Sequence, residues 1–480
     1  MQVKISGFAK AIGAAAGAVL VTAALILAGC TAATNLTSTG TTITAATVAT
    51  PVSITDAPSD EVVAASLTLN SVVLADQSGK TASILAAPLT FEAAHLDAVQ
   101  EPLFTPAIPQ DTYTSVALTY SNAQVAYFDP TTKQLVVATA TLANNSQTIT
   151  LPAPLTISNA TTSLLIDYLV ANSVAISGST VTVTPQFHVA PAPIATTPTN
   201  GTNGLDCGMR GKVTALGTNQ FTLTNPESVS MVINVNGNTQ YQGLSGFSAL
   251  ATGALVEVDV AVQANGSLLA LRVEEDVAPN ATAELLVGPV VAVSGAPATS
   301  FTEIVRQTIG PAATASAVEK DAITITGSTQ FQLPGRWKNL VVDGVPFTPS
   351  FDASTLFAGQ VVAVQANGVT NNAATALSVT LAPQTIEGTI TGGAVPACIP
   401  CWGQVTLTLP TGSWLATVTG KTTVEVIVPT GALLQALPGA TAAMSSVVRF
   451  NGFLFSSNGS LILVAVVEGP PPGTPIGPAI

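Results

Sequence analysis

The sequence predicts an all-β protein: an N-terminal β-sandwich followed by three small five-stranded, barrel-like β domains. Three observations point there. Only 8% of the residues are charged against 47% hydrophobic, with 38 Gly and 32 Pro, which suits many short strands joined by turns. Runs such as SLTLNSVVLAD, TYTSVALTYS and AISGSTVTVTPQF alternate in character and stop at Gly, Pro, Asn or Asp, as half-buried strands do. Beyond a Pro/Thr/Gly linker the text then repeats itself loosely, so its 480 residues divide into several cores rather than one.

The chain opens on a leader, residues 1–29. Lys4 and Lys10 precede an uncharged, mostly apolar stretch from Ala11 to Ala28, and small residues lead into Cys30. This is the tripartite pattern of a secretory signal. The stretch is also just long enough for a membrane-spanning helix, and Leu27-Ala28-Gly29-Cys30 decides between the two. That tetrapeptide resembles the lipobox of bacterial lipoproteins. The resemblance implies cleavage before Cys30, acyl chains on the cysteine, export, and attachment to a membrane, since two or more chains anchor stably where one does not. Thr31 is not an aspartate, which in a Gram-negative cell implies the outer membrane or a periplasm-facing position. Residues 30–50 follow as a Thr/Ala tether without charge.

Residues 51–190 form the predicted sandwich, with one short helical candidate at Ala93 to Gln100. Val52-Ser-Ile-Thr-Asp-Ala-Pro58, Ile108-Pro-Gln-Asp-Thr-Tyr113 before Val116-Ala-Leu-Thr119, Leu164-Leu-Ile-Asp167 and Val181-Thr-Val-Thr-Pro185 follow one another in order. As an ordered set they resemble domain of unknown function family 4382, found in bacterial lipoproteins, which implies a fold and a setting but no activity. Asp56, Asp60 and Glu61 cluster ahead of a strand and are weak candidate calcium ligands, since they lack the spacing of a calcium loop and Asp-Ala-Pro reads first as a plain turn. His95 and His188 sit in no carboxylate or cysteine motif and read as surface or hydrogen-bonded side chains.

After the linker at 191–207, module 1 spans 208–280, module 2 spans 284–383 with insertions around Ala296 to Lys320 and Gly335 to Phe351, and module 3 spans 385–468. A Pro-rich tail, 469–480, closes the chain. Each unit opens on a strand glycine: Gly211, Gly288 or Gly388. Thr-rich strands follow at Phe221 to Thr224, Ile323 to Thr326 and Val405 to Thr408. A Thr-x-aromatic step comes next at Thr239-Gln-Tyr241 and Thr329-Gln-Phe331, with Thr422-Thr-Val424 as a looser third copy. Gly253 and Gly359 then turn the chain into a further strand, and the third copy has no clear glycine there. These units resemble domain of unknown function family 5666, small tandem modules of exported bacterial proteins. Five such strands suggest a barrel of the oligonucleotide/oligosaccharide-binding type.

The chemistry on offer is sparse. With 13 basic against 26 acidic residues, the chain lacks the dense Lys and Arg that nucleic acid requires, and module 1 supplies chiefly Arg210, Lys212, Phe221, Tyr241 and Arg272. Exposed tryptophans stack on sugars, so Trp337, Trp402 and Trp414 are candidate glycan contacts, with interior packing the alternative. Cys398-Ile-Pro-Cys401 is a disulfide candidate in an oxidising compartment, since a strand follows it and no second ligand pair completes a zinc site. Cys207 is left over. No nucleophile elbow or phosphate loop occurs, and acid pairs that meet only through the fold leave no local signature. The reading is therefore a lipid-anchored, non-enzymatic envelope protein for binding, adhesion or scaffolding, without cofactor or metal. Its expected partners are the membrane, envelope proteins or glycans. The alternatives are a surface glycan-binding lipoprotein and, further off, an envelope hydrolase.

Overall fold

The computed structural model describes residues 46–56, 59–96, 100–158, 162–194, 205–263, 265–279, 282–310, 318–335, 347–394, 403–428, 435–436 and 445–469. Among them strands far outweigh helices. None of their helices is long and apolar enough to cross a membrane.

The N-terminal body packs two main sheets over one core, with a two-stranded sheet, Thr47–Ala49 with Ala107–Pro109, and a three-stranded one, Thr141–Leu142, Thr180–Val183 and Val174–Ser177, beside them. In the larger, the long strands Val62–Asp76 and Asp111–Phe128 pair antiparallel, and Ser146–Ile157 extends the sheet beside the second of them. The smaller sheet runs Phe187–Pro193, Thr162–Tyr168, Val52–Asp56, Glu101–Phe104. Period-two alternation explains the packing: Tyr113, Val116, Leu118 and Tyr120 from one sheet meet Leu164, Ile166 and Tyr168 from the other in a single apolar cluster. Of the helical candidate Ala93 to Gln100, Ala93–Leu96 is a tight turn and residues 97–99 lie outside the described residues, and a short helix forms at Val170–Ser173.

Three closed five-stranded barrels follow. In barrel 1 the first strand, Leu205–Gly217, pairs with both Gln220–Thr224 and Leu255–Val262. The third strand, Ser230–Asn234, closes the barrel by running parallel to the fifth, Leu268–Val277. Barrel 2 repeats this order with Glu284–Ser294, Ser300–Val305, Glu319–Thr324, Val361–Ala366 and Ala373–Leu381. Barrel 3 does so with Gln384–Ala394, Gly403–Thr408, Thr423–Val428, Val447–Ser457 and Ser460–Gly469. A first strand shared by the second and fourth, with the third parallel to the fifth, is the Greek-key order of an oligonucleotide/oligosaccharide-binding barrel.

The repeated residues have repeated physical reasons. A side chain at Gly211, Gly288 or Gly388 would meet the crossing second strand at under 3.0 Å, so only glycine lets the first strand bend there. Thr239 and Thr329 each donate a hydroxyl hydrogen bond at 2.8 Å to a fifth-strand carbonyl, Ala270 or Ala376. The N–H groups of Gly253 and Gly359 donate to Val213 and Val290 at 2.8 Å. In barrel 3 Ser445 does the same to Ile390, at φ 68°, which is why no glycine marks that copy.

Two assignments change. The second strand of barrel 2 is Ser300–Val305, inside the supposed insertion, and the Ile323 run belongs to the third strand and the turn after it. The counterpart of Tyr241 in barrel 3 lies on the strand Gln435–Ala436, whereas Thr422–Val424 leads into the third strand.

The described residues form one compact unit. Barrels 1 and 2 share an apolar cluster through Leu255, Val277, Leu285 and Ile309. Barrels 2 and 3 share another through Val364, Val379, Phe453 and Phe455. The sandwich joins barrel 3 where Val63, Ala64 and Ala126 pack with Trp414, Leu415 and Phe450. Arg306 of barrel 2 donates to the Val63 carbonyl at 2.6 and 2.8 Å and to that of Ala94 at 3.3 Å.

Candidate binding groove

Most residues singled out by sequence do not converge. Leu27, Ala28, Gly29, Cys30, Trp337, Cys398, Cys401 and Trp402 lie outside the described residues. Trp414 is described, and its position overturns its assignment as a glycan contact. It opens the helix Trp414–Thr419, is only 4% exposed, and donates its backbone N–H to the Asp60 carbonyl at 2.7 Å, so no face is left for a sugar. The calcium set is likewise dispersed. Asp56 is fully buried and accepts from the Val170 N–H at 3.2 Å, Asp60 sits at the Trp414 contact, and Glu61 is exposed. No group of three or more metal-ligating side chains forms among the described residues.

The ionisable side chains gather instead at joints. On barrel 1 the Arg272 guanidinium meets Glu257 at 2.6 Å, Asp259 at 2.7 Å, and Glu274. Arg210 meets Glu257 at 2.5 Å and Asp276 at 3.6 Å. Burial pulls the Arg272 pKa down, and the carboxylates of Glu257, Asp259 and Glu274 outweigh it and hold the group charged. Burial raises Asp276 to about 7 despite Arg210. Gly335 of barrel 2 seats on this network, its N–H donating to Glu274 at 2.6 Å. Both arginines that a nucleic acid would need are thus engaged by acids.

A second cluster lies where the sandwich meets barrel 1. His95 sits between Glu92, at 3.1 Å, and Glu101, at 3.6 Å. Burial opposes its charge, but Glu101 and then Glu92 push its pKa up to about 10. Burial, with Glu101 nearby, raises Glu227 of barrel 1 to about 7. The spacing of Glu92 and His95, three residues apart, was a readable signal of this pair.

Barrel 2 holds an acid pair, Glu303 and Asp321, directly opposite each other on its second and third strands. At 0% and 1% exposure they are sealed from substrate. Burial, together with Asp321, raises Glu303 well above its ordinary value, and burial raises Asp321 to about 6, helped by Glu319 and Glu284. Among the described residues neither carboxylate oxygen of Glu303 has a hydrogen-bond partner. An acid whose folded pKa is raised contributes stability at low pH that is lost as pH rises from its unfolded value through its folded one. Glu303→Gln is therefore expected to match the parent near pH 4 and to exceed it by roughly 1–2 kcal/mol at pH 8, where the unfolded parent chain ionises this acid and the folded one resists it. Urea denaturation across pH 4 to 8 checks this. A variant less stable at pH 8 contradicts it.

Among the described residues an open feature contrasts with these closed clusters. A groove of about 410 Å³ lies between the sandwich and barrel 1, lined by Phe104 and Thr105 on one side and by Gln220, Val229, Ser230, Met231, Val232, Asn234, Gly266, Ser267 and Leu268 on the other. Gln220 begins the second strand, Ser230–Asn234 is the third, and Gly266 and Ser267 belong to the loop joining the fourth and fifth. This is the face on which barrels of this topology take their ligands. Two fixed contacts shape it: the Asn234 amide donates to the Leu268 carbonyl at 3.0 Å, and the Ser267 hydroxyl donates to Asn265 at 2.7 Å. None of its described lining side chains is ionisable.

Fold and groove together define an all-β, multi-barrel protein with a neutral surface groove. A family model described as a domain of unknown function (DUF5666) matches residues 210–274, which lie within barrel 1, so the chain carries one module of that kind. No curated protein matches the sequence. Among solved structures, a chain described as drosophila Unr CSD456 aligns with 54% of this chain and 94% of its own, at 11% identity and a TM-score of 0.12. A likeness at that score carries no functional weight.

Proposed function

We propose that this is a lipid-anchored extracytoplasmic protein with a non-catalytic binding, adhesion or scaffolding role in the bacterial cell envelope. The sandwich is read as a member of unknown-function family 4382 and barrels 2 and 3 as divergent copies of the module in barrel 1. The observation that carries the reading is the placement of charge. The described acid clusters, including the one acid pair with a glycosidase-like composition, are packed into barrel interiors and joints, while the open groove is uncharged. Such an arrangement supports holding and presenting rather than proton transfer, which needs a titratable group within reach of substrate. The lipobox-like Leu27-Ala28-Gly29-Cys30 and the tether after it support the anchor.

Metabolic labelling with a fatty-acid probe tests the anchor. The parent chain is expected to take up label and to fractionate with membranes, and Cys30→Ala is expected to lose both. Equal label in the two contradicts the reading.

A further inference from the structure

We propose that the groove between the sandwich and barrel 1 binds a short segment of a neutral oligosaccharide. The proposal rests on the reading of the chain as a binding protein and names the ligand class of its groove. On the third strand, period-two alternation turns Met231 and Ile233 into the core of barrel 1 and leaves Ser230, Val232 and Asn234 on the outer face. Val232 is 50% exposed, an apolar side chain standing between a hydroxyl and an amide on a surface where large apolar residues are scarce.

Across the groove the half-buried Phe104 offers an aromatic ring, and Thr105, Gln220 and Ser267 add hydroxyl and amide groups around the apolar centre. A sugar ring presents the complementary pattern, with C–H groups on its faces and hydroxyls at its edge, so aromatic and aliphatic surface ringed by neutral hydrogen-bonding groups is what it requires. The volume of about 410 Å³ falls in the range of roughly 300–1,000 Å³ typical of small-ligand sites.

Charge decides between ligand classes. An acidic glycan or a nucleic acid calls for basic side chains, and the described lining of the groove has none. Arg210 and Arg272 of the same barrel are held by Glu257, Asp259 and Glu274. The rim is also set in advance by the Asn234 to Leu268 hydrogen bond, so little ordering is left to the binding step. The glycan-contacting surface thus moves from the tryptophans, of which Trp414 is buried, to a junction that contains no tryptophan.

The test uses the full mature chain on an array of neutral glycans, followed by calorimetric titration with cellohexaose, maltohexaose and chitohexaose and with an uncharged extended peptide. At least one neutral glycan is expected to bind. Val232→Glu, which puts a charge on the exposed valine, and Gln220→Ala are each expected to weaken it by about tenfold or more, as removal of a central contact does. Lys133→Ala, remote on a sandwich loop, is expected to leave it unchanged, and thermal unfolding of all three variants to match the parent. A blank neutral array, affinity indifferent to both groove variants, or binding of the peptide alone overturns the proposal. The two readings separate cleanly. A chain that is lipidated on Cys30 but binds no neutral glycan loses only the groove assignment, and one that binds through the groove without taking up lipid loses only the anchor.

Discussion

Replacing Arg272 by alanine is expected to lower stability by about 3–5 kcal/mol, because it strips the shared cation from a buried acid cluster. Glu257, Asp259 and Glu274 all reach this guanidinium, and the side chains of the arginine and of Glu257 are nearly buried. Without it the three carboxylates face one another in a medium that screens poorly, and Arg210, already occupied by Glu257 and Asp276, is the cation that remains at the cluster. Arg272→Met should not restore the loss, since shape is not what the cluster lacks. Urea denaturation of variant and parent at pH 7.5 measures this. A loss under about 1 kcal/mol contradicts the role given to Arg272.

Trp414→Ala is expected to cost a similar 3–5 kcal/mol, the usual penalty for deleting a large buried aromatic side chain. Its effect should spread beyond barrel 3, since Trp414 packs in one cluster with Val63, Ala64 and Ala126 of the sandwich. Hydrogen exchange should therefore quicken at the start of the strand Val62–Asp76 as well as in the helix Trp414–Thr419. Faster exchange confined to barrel 3 would show that the sandwich does not depend on this contact.

The fold class was legible because strand alternation and turn residues are local signals. The opening glycines were legible too, since each marks a place where a Cβ has no room. The second strand of barrel 2 was hidden by its own oddity: SFTEIV buries Glu303, and a charged residue in a short run reads as surface. The burial of Trp414 had a signal in its helix caps. Ser413 accepts from the Ala416 N–H and Gly420 takes a left-handed φ of 67°, so SWLATVTG carries both helix boundaries in plain sequence. The groove had no sequence signature. Phe104 and Val232 belong to different bodies, and nothing short of the docked fold brings them together.

Above all, the joints make the sandwich and barrels into one frame. Scanning calorimetry of the mature chain tests this most directly. Separate domains on linkers unfold in separate transitions, whereas bodies that share apolar clusters unfold together. The expected result is a single dominant transition that Arg272→Ala and Trp414→Ala each move down as a whole, although the two residues lie in different barrels. Resolved transitions, with each substitution shifting only its own, would contradict the account.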